Sequence, residues 1–270
     1  MPRCSAGFRD CCVLGRTHIL DMGATCVLAS RLPSSASRRA IILNRALAPP
    51  PAAANRAILA FVARRPRPSW FYLVLGGLSW PLVKTLFRHR ATGVENVPRE
   101  GGFVVAANHW SNFDPWALAM PLFPRRFLRF MGKSELFWFP LGAIITAGGA
   151  FPVRRGQRDE EAIATAVDLC RRGHAVVMFP EGTRREKGLR KKYEAHWHTG
   201  AARIALEAGV PLVPAGIAGT DRLVRLGPLR VAYGPSLDLA DLAGVPVAEG
   251  ARVATDRLRD AITELELSLT

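Results

Sequence analysis

A histidine and an aspartate stand five residues apart at the end of a short apolar run, in the stretch NHWSNFDP (residues 108–115). A histidine that is oriented by a carboxylate can take a proton from a hydroxyl group near neutral pH. On one continuous helix His109 and Asp114 would point about 140° apart, so their pairing requires a loop that leads into a helix. The spacing alone is a weak indication, because a loop histidine and a helix N-cap at Asp114 also explain these residues.

Other features of the sequence narrow the chemistry that such a pair could perform. A G-x-S-x-G motif, which would place a serine nucleophile on a sharp turn, does not occur. Cysteines at a metal-ligand spacing such as C-x2-C do not occur either, and Cys170 is the one cysteine after residue 26. We therefore expect no metal, and the substrate's own hydroxyl is favoured as the nucleophile. A lone cysteine in the main body suits a reducing compartment such as the cytoplasm.

Two further clusters of charged residues follow apolar runs. In FPEGTRREKG (residues 179–188), Glu181 could orient a substrate hydroxyl or hold an arginine, and Arg184 could bind a phosphate through two parallel hydrogen bonds. In GAFPVRR, strand alternation points Arg154 and Arg155 to opposite faces, so only one of them is expected to enter a site. A solvated turn and a solvated strand edge explain the same charges without any function.

The elements that must position these residues alternate between strands and helices. Short apolar runs are predicted as strands at residues 101–108, 149–156, 174–180, 210–219 and 229–234. Helical spacing and helix boundary signals predict helices at residues 115–123, 157–173, 199–209 and 250–269. This alternation predicts an α/β layered domain, which we place at residues 93–270.

The first 68 residues have a biased composition and no sustained hydrophobic period. Eleven arginines, no lysine and two acidic residues supply more than half of the net charge of +15. We expect residues 1–68 to be a disordered or wrongly assigned N-terminal extension, and an organelle transit peptide is the alternative. The overall charge indicates an anionic partner, namely nucleic acid, anionic lipid or a phosphorylated substrate.

An uncharged aromatic segment separates this extension from the layered domain. Residues 69–83 carry no charge, which is too short a stretch for a comfortable transmembrane helix of about 20 residues. Three potential helix breakers, at Gly76, Gly77 and Pro81, also argue against a membrane span. We predict that residues 69–92 form a helical segment in the membrane interface, and an ordinary core helix is the alternative.

Four blocks of this sequence together resemble the glycerolipid acyltransferases of the 1-acylglycerol-3-phosphate acyltransferase type. The blocks are NHWSNFD, GAFPVRR, FPEGTR and VPLVPAGI, in that order, and the resemblance covers roughly residues 70–235. The stretch KSELFWFP, which begins at Lys133, is similar to the family's segment between the first two blocks. The resemblance implies an α/β acyltransferase domain with a mixed, largely parallel sheet flanked by helices, preceded by an N-terminal membrane-docking helical motif.

The resemblance also implies a role for each matched residue. His109 would be the general base that activates an acceptor hydroxyl, and Asp114 would orient it. Several other positions would bind the glycerol phosphate or assist that binding, namely Lys133, Arg155, Glu181, Gly182, Thr183 and Arg184.

The activity that the resemblance implies is transfer of a fatty acyl group from a thioester, acyl-CoA or acyl-ACP, to the free hydroxyl of 1-acyl-sn-glycerol 3-phosphate. The product would be phosphatidic acid, in phospholipid synthesis. No cofactor is expected beyond the thioester co-substrate. The expected partners are the two substrates, an anionic membrane surface and acyl carrier protein. We expect a membrane-associated protein at the cytoplasmic face of a bacterial inner membrane.

Departures from the family pattern leave other readings open. Pro152 and Arg154 differ from the residues usual in the second block, and His198 replaces a frequent lysine. The acceptor could therefore be another lysolipid, a glycolipid or an amino-lipid. The protein could also be no enzyme at all but a non-catalytic basic module that binds membrane or nucleic acid. Zinc-finger spacing and RNA-recognition aromatic motifs are absent from the sequence, so nucleic acid is not the expected partner.

Overall fold

The computed structural model describes residues 52–64, 68–154, 160–182 and 196–269. Within these ranges seven strands form one sheet with the order β1-β7-β6-β2-β5-β3-β4. The strands are β1 (Arg90–Thr92), β2 (Phe103–Ala107), β3 (Leu128–Lys133), β4 (Ala150–Val153), β5 (Ala175–Met178), β6 (Leu212–Ala218) and β7 (Arg230–Tyr233). Neighbouring strands are parallel throughout except for β6 and β7, which are antiparallel.

Seven α-helices flank this sheet in the described part of the chain. They are α1 (Ala52–Arg64), α2 (Trp70–Leu86), α3 (Asp114–Ala119), α4 (Leu141–Ala147), α5 (Glu160–Arg171), α6 (Gly200–Ala208) and α7 (Val247–Ser268). Short 3₁₀ turns occur at Val94–Asn96, Met120–Leu122, Ser134–Leu136, Thr220–Arg225 and Ala240–Leu242. The prediction of an α/β domain with a mixed, largely parallel sheet flanked by helices is therefore confirmed.

The central strand β2 is buried on both faces. All five of its residues are fully buried, which explains why it reads as a continuous apolar run rather than as an alternating one. Val104 and Ala106 pack into the core formed with residues of α1, α5, α6 and α7. Phe103, Val105 and Ala107 pack into the core on the other face, together with residues of α3. Helices cover both faces of the sheet, so the ends of its strands are left accessible. The carboxyl edge is the side of the sheet at which the parallel strands end.

Helix α1 falls within residues 1–68, where the composition predicted no stable structure. The prediction is wrong for residues 52–64, which are helical and pack against β4 and α5. Leu59 and Val62 lie on one face of this helix and are 5% and 1% exposed, and their burial supplies the stabilisation that composition alone does not reveal. Residues 1–51 and 65–67 lie outside the described residues.

Helix α2 occupies most of the segment that was predicted to be helical at residues 69–92. The prediction is wrong for residues 90–92, which form β1 and pair with β7, so the sheet begins before residue 93. The first turn of α2 is capped by Ser69, whose Oγ accepts a hydrogen bond from the N–H of Tyr72 at 3.1 Å. The same hydroxyl donates to the carbonyl oxygen of Ala147 at the end of α4, at 2.8 Å. Among the described residues no helix combines the length and apolar character needed to cross a bilayer.

Candidate active site

The candidate site begins where β2 leaves the sheet. Asn108 follows the last residue of β2 and is fully buried. Its Nδ2 donates to the carbonyl oxygen of Ile217 at 2.9 Å, and its Oδ1 accepts from the N–H of Ile217 at 2.8 Å. This pair of hydrogen bonds ties the end of β2 to β6 and fixes the backbone at the point where the next residue, His109, enters the loop.

Asp114 organises that loop through one carboxylate oxygen. Its Oδ2 accepts hydrogen bonds from His109 Nδ1 at 2.7 Å and from the backbone N–H groups of Trp110 at 2.7 Å and Ser111 at 2.8 Å. Asp114 is the first residue of α3, is followed by Pro115, and is completely buried. A loop that leads into a helix therefore brings the histidine and the aspartate together, as their pairing required.

This geometry decides which nitrogen of the imidazole can act as a base. A carboxylate only accepts hydrogen bonds, so His109 Nδ1 carries the proton and donates it to Asp114. The other ring nitrogen, Nε2, is left with a lone pair. Because Asp114 is held by three donors, it also stabilises the positive charge that forms when Nε2 takes up a proton.

The imidazole ring is held on its flat side as well as at its edge. It stacks on the ring of Phe179, with 4.2 Å between the ring centroids and an interplanar angle of 17°. Phe179 directly follows β5, which is the parallel neighbour of β2, so the two rings meet at the same edge of the sheet. His109 is 7% exposed and lines a cavity.

The charged turn after β5 is only partly described. Glu181 is 1% exposed, so it is not part of a solvated bend. Gly182 has φ of +66°, and a Cβ atom there would lie 2.5 Å from the ring of His198, so the turn requires glycine at this position. Three predicted site residues lie outside the described residues, namely Arg155, Thr183 and Arg184.

An apolar cavity of about 440 Å³ opens beside His109. Helix α2 contributes Phe71, Tyr72 and Leu75, and the remaining wall comes mainly from α3, β3 and α4. Burial raises the pKa of Tyr72 to about 12, so its phenol is neutral at physiological pH. The cavity is lined mostly by hydrocarbon and is of a size typical for small-molecule sites.

Lys133, one of the predicted site residues, lines this cavity. It ends β3, and its Nζ forms an ion pair with Glu135 at 3.1 Å. About half of its side chain is exposed, so the pair is solvent-screened. The structure therefore places Lys133 in the same cavity wall as His109.

A second cavity of about 720 Å³ adjoins the first and shares Met131 and Phe179 with it. Its wall is more polar and includes Arg154, His198, Arg203 and Arg252 as well as Glu160 and Glu207. The charge of Arg203 is compensated, because its guanidinium contacts carboxylate oxygens at 2.7 and 2.6 Å. Arg154 also pairs with Glu161, at 3.9 Å. With three arginines and two glutamates in its wall, this second cavity has a positive formal charge and is called the cationic cavity, whereas the first cavity is mainly apolar.

The site contains residues that the sequence did not single out. Asn108 and Phe179 lay inside the quoted motifs, but only the strand pairing shows that Asn108 bonds to Ile217 and that Phe179 stacks on His109. Glu266, on α7, accepts a hydrogen bond from Trp110 Nε1 at 3.1 Å, and no spacing rule links residues 156 positions apart. The described residues contain no group of histidine, cysteine and carboxylate side chains that could hold a metal ion.

A layered α/β domain with a His–Asp pair at the carboxyl edge of its sheet, beside an apolar cavity, has the arrangement needed to deprotonate a hydroxyl and acylate it. Comparisons with known proteins agree with this class. Residues 88–218 match the profile of the family described as Acyltransferase. The chain is 33% identical over 181 residues to 1-acyl-sn-glycerol-3-phosphate acyltransferase of Bacillus subtilis, covering 65% of this chain and 86% of that protein.

Two further relatives extend the comparison. The enzyme of the same name from Salmonella typhimurium is 30% identical over 176 residues, which cover 62% of this chain and 69% of that protein. The crystal structure of the 1-acyl-sn-glycerophosphate (LPA) acyltransferase PlsC from Thermotoga maritima shares the fold, with a TM-score of 0.53, 21% identity, and coverage of 87% of this chain and 89% of that one. The chain belongs to the glycerolipid acyltransferase family and is an O-acyltransferase.

Proposed function

We propose that this enzyme transfers a fatty acyl group from a thioester to the free hydroxyl of 1-acyl-sn-glycerol 3-phosphate and so makes phosphatidic acid for phospholipid synthesis. The observation that carries the proposal is the His109–Asp114 hydrogen bond of 2.7 Å beside an apolar cavity. The names of the relatives from Bacillus subtilis and Salmonella typhimurium support the choice of acceptor.

The reaction follows from the protonation state of the histidine. His109 Nε2 takes the proton of the acceptor hydroxyl while its oxygen attacks the thioester carbonyl carbon. The tetrahedral intermediate collapses, the C–S bond breaks, and the thiolate leaves. The proton on Nε2 passes to the thiolate, so the enzyme returns to its starting state. Asp114 keeps the imidazole in the required tautomer and stabilises the imidazolium between the two proton transfers.

The two cavities divide the substrates by polarity. The apolar cavity takes an acyl chain, since each buried CH₂ group contributes about 0.8 kcal/mol. The cationic cavity, whose wall includes Gly182, takes the phosphate-bearing part. Glu181 is buried beside it and orients a substrate hydroxyl or an arginine. Lys133 assists from the wall of the first cavity. Arg155, Thr183 and Arg184 are proposed to bind the same phosphate on the strength of the family resemblance alone. Acyl-CoA or acyl-ACP serves as donor, and no cofactor is required.

We further propose that α2 and the segment before α4 dock the enzyme on an anionic membrane surface, at the cytoplasmic face of a bacterial inner membrane. Trp70 and Leu78 on α2 are 76% and 72% exposed, and Phe139 is 82% exposed. Apolar side chains exposed to this degree are typical of surfaces that enter the membrane interface. Because α2 and α4 also line the apolar cavity, a lipid substrate would reach that cavity from the bilayer.

Binding to vesicles tests the docking surface. With vesicles that contain phosphatidylglycerol, co-sedimentation measures the affinity of the protein for lipid. Leu78→Glu should lower this affinity about 10-fold, because it removes one apolar side chain from the membrane interface. Val253→Glu on α7, which is 38% exposed, is the matched control and should bind as the wild type does. Equal loss in both variants would contradict a docking role for α2.

The reaction itself is tested by acyl transfer from labelled acyl-CoA, and separately from acyl-ACP, to lysophosphatidate on membranes. The wild type should form phosphatidic acid, and His109→Ala should lose that activity. The assay includes other lysolipids, a glycolipid and an amino-lipid as acceptors. Turnover of one of these without turnover of lysophosphatidate would replace the proposed acceptor. Lipid binding with no transfer to any acceptor would favour a non-catalytic membrane module.

A further inference from the structure

Trp110, the residue after the catalytic histidine, is held at two separate points. Its backbone N–H donates to Asp114 Oδ2 at 2.7 Å, which makes it part of the hydrogen-bonded turn that orients the imidazole. Its indole Nε1–H donates to Glu266 Oε1 at 3.1 Å, and Glu266 lies in the last turn of α7. One residue therefore joins the catalytic carboxylate to a helix that follows it by more than 130 positions.

The end of α7 is itself fixed to the sheet. Gly216 on β6 allows the helix to approach closely, since a Cβ atom there would lie 3.0 Å from the backbone nitrogen of Glu266. One turn later, Arg230 on β7 donates from Nη1 to the carbonyl oxygen of Leu269 at 2.7 Å. The carboxylate of Glu266 thus projects from a helix end that two strands hold in place. One of these strands, β6, also holds Asn108 through Ile217.

The charge of Glu266 rules out a direct role in holding a phosphorylated substrate. A carboxylate repels phosphate, and the effect is larger in a partly buried site than in water. The carboxylate of Glu266 is instead a strong acceptor for the indole N–H, because a hydrogen bond to a charged group is stronger than one between neutral groups.

We propose that Glu266 is a positioning residue for acyl transfer, acting through the indole of Trp110 to hold the His109–Asp114 turn. Without this bond the Trp110 side chain loses its tie to α7 and can shift. The backbone N–H of Trp110 then no longer keeps Asp114 Oδ2 in line with the imidazole. The inference rests on the proposed acyl transfer but not on which lipid accepts the acyl group.

A double-mutant cycle in the full-length enzyme tests this role. E266A and W110F should each lower kcat about 10-fold, with KM for acyl-CoA unchanged, because the base is misplaced and the donor site is not. E266Q should retain most of the activity, since the amide oxygen also accepts a hydrogen bond. The double variant W110F/E266A should be no slower than the slower single variant, because both remove the same contact. E264A, an exposed acid on the same helix, is the matched control.

Three outcomes would overturn the proposal. The first is a double variant whose loss is the product of the two single losses. The second is E266Q as slow as E266A, which would mean that the charge matters and the hydrogen bond does not. The third is a loss of kcat in E264A equal to that in E266A, which would mean that any change in the last turns of α7 has the same effect.

A measurement without any acceptor separates this inference from the choice of substrate. In protein labelled with ¹⁵N-tryptophan, the Trp110 indole resonance is identified among six tryptophans by its absence in W110F. It should shift and exchange faster with solvent in E266A but not in E266Q. If lysophosphatidate is not acylated, the acceptor proposed above is wrong, and the cycle is measured with the acceptor that supports turnover. An indole resonance that E266A leaves unchanged would refute the contact itself.

Discussion

The two edges at which the parallel strands begin and end both carry hydrogen-bonded polar side chains, and these side chains have opposite roles. At the edge where β2 and β5 begin, Arg126 donates to three backbone carbonyl groups, those of Arg99, Gly101 and Gly173. At the edge where the same strands end, Asp114 gathers three donors, and His109 Nε2 has no hydrogen-bond partner among the described residues. At the first edge the polar groups hold loops together, whereas at the second edge one nitrogen of the His–Asp pair stays unbonded among the described residues. This difference matches the general placement of ligands at the carboxyl ends of parallel strands.

The largest effect is expected from Asp114→Asn at the carboxyl edge. The amide is neutral, and its oxygen is a weaker acceptor than the carboxylate oxygen Oδ2, which now binds three donors and holds the imidazole in one tautomer. The imidazole loses its tautomer and its charge partner, and kcat should fall at least about 100-fold. Steady-state kinetics at saturating donor measure the effect. Asp256→Asn, an exposed acid on α7, should leave kcat unchanged, and activity of D114N within tenfold of wild type would contradict the assigned role.

A smaller effect, on stability instead of activity, is expected from Arg126→Ala at the opposite edge. This change leaves three carbonyl groups without their donor, so the free energy of unfolding should fall by about 2 kcal/mol. Urea unfolding gives this value, and kcat/KM of the folded enzyme should stay at the wild-type level. Arg125→Ala, the exposed neighbour, should change neither quantity. Loss of kcat/KM in R126A without loss of stability would show that the two edges are coupled.

The smallest effect concerns pH and His174, which lies just before β5 at the same edge as Arg126. Burial, followed by the positive charges of Arg129 and Arg126, lowers the pKa of His174 below its usual 6.5. As pH falls below about 6.5 the unfolded chain takes up a proton that the folded protein resists, so stability decreases with decreasing pH.

Urea unfolding between pH 7.5 and 5 measures this dependence. One group contributes at most about 1.4 kcal/mol per pH unit, so His174→Gln should make the curve flatter by less than that slope. His196→Gln, at an exposed position, should leave the slope unchanged. A steeper curve in H174Q would mean that the sign of the linkage is wrong.

The sequence predicted those parts of the molecule that local patterns determine. The apolar run at β2 is buried on both faces, so it was recognisable as a strand of a layered domain. The His109–Asp114 spacing demanded a loop that enters a helix, and Pro115 marks the first turn of that helix. Helix α1 was missed, because its surroundings have a linker-like composition and Leu59 and Val62 gain their stability from distant partners.

The parts that could not be predicted depend on contacts between distant residues. Nothing in the sequence places Phe179 against the imidazole until β2 and β5 are known to be neighbours. The two cavities likewise arise from the packing of α2, α4 and α7 around the strand ends. Lys133 was found through family resemblance, and its position in the cavity wall agrees with that prediction without testing its role.

The clamp formed by Asn108 has a consequence for the order of events during synthesis. Its partner Ile217 is 109 residues further along the chain, so the ribosome must add these residues before the loop can be fixed. At about 5–20 residues per second this takes about 5–20 s, and Glu266 emerges later still. A nascent chain that ends before Ile217 therefore carries His109 without the contact that ties the end of β2 to β6. The loop that carries the His109–Asp114 pair therefore reaches its folded geometry only after the chain has extended beyond Ile217.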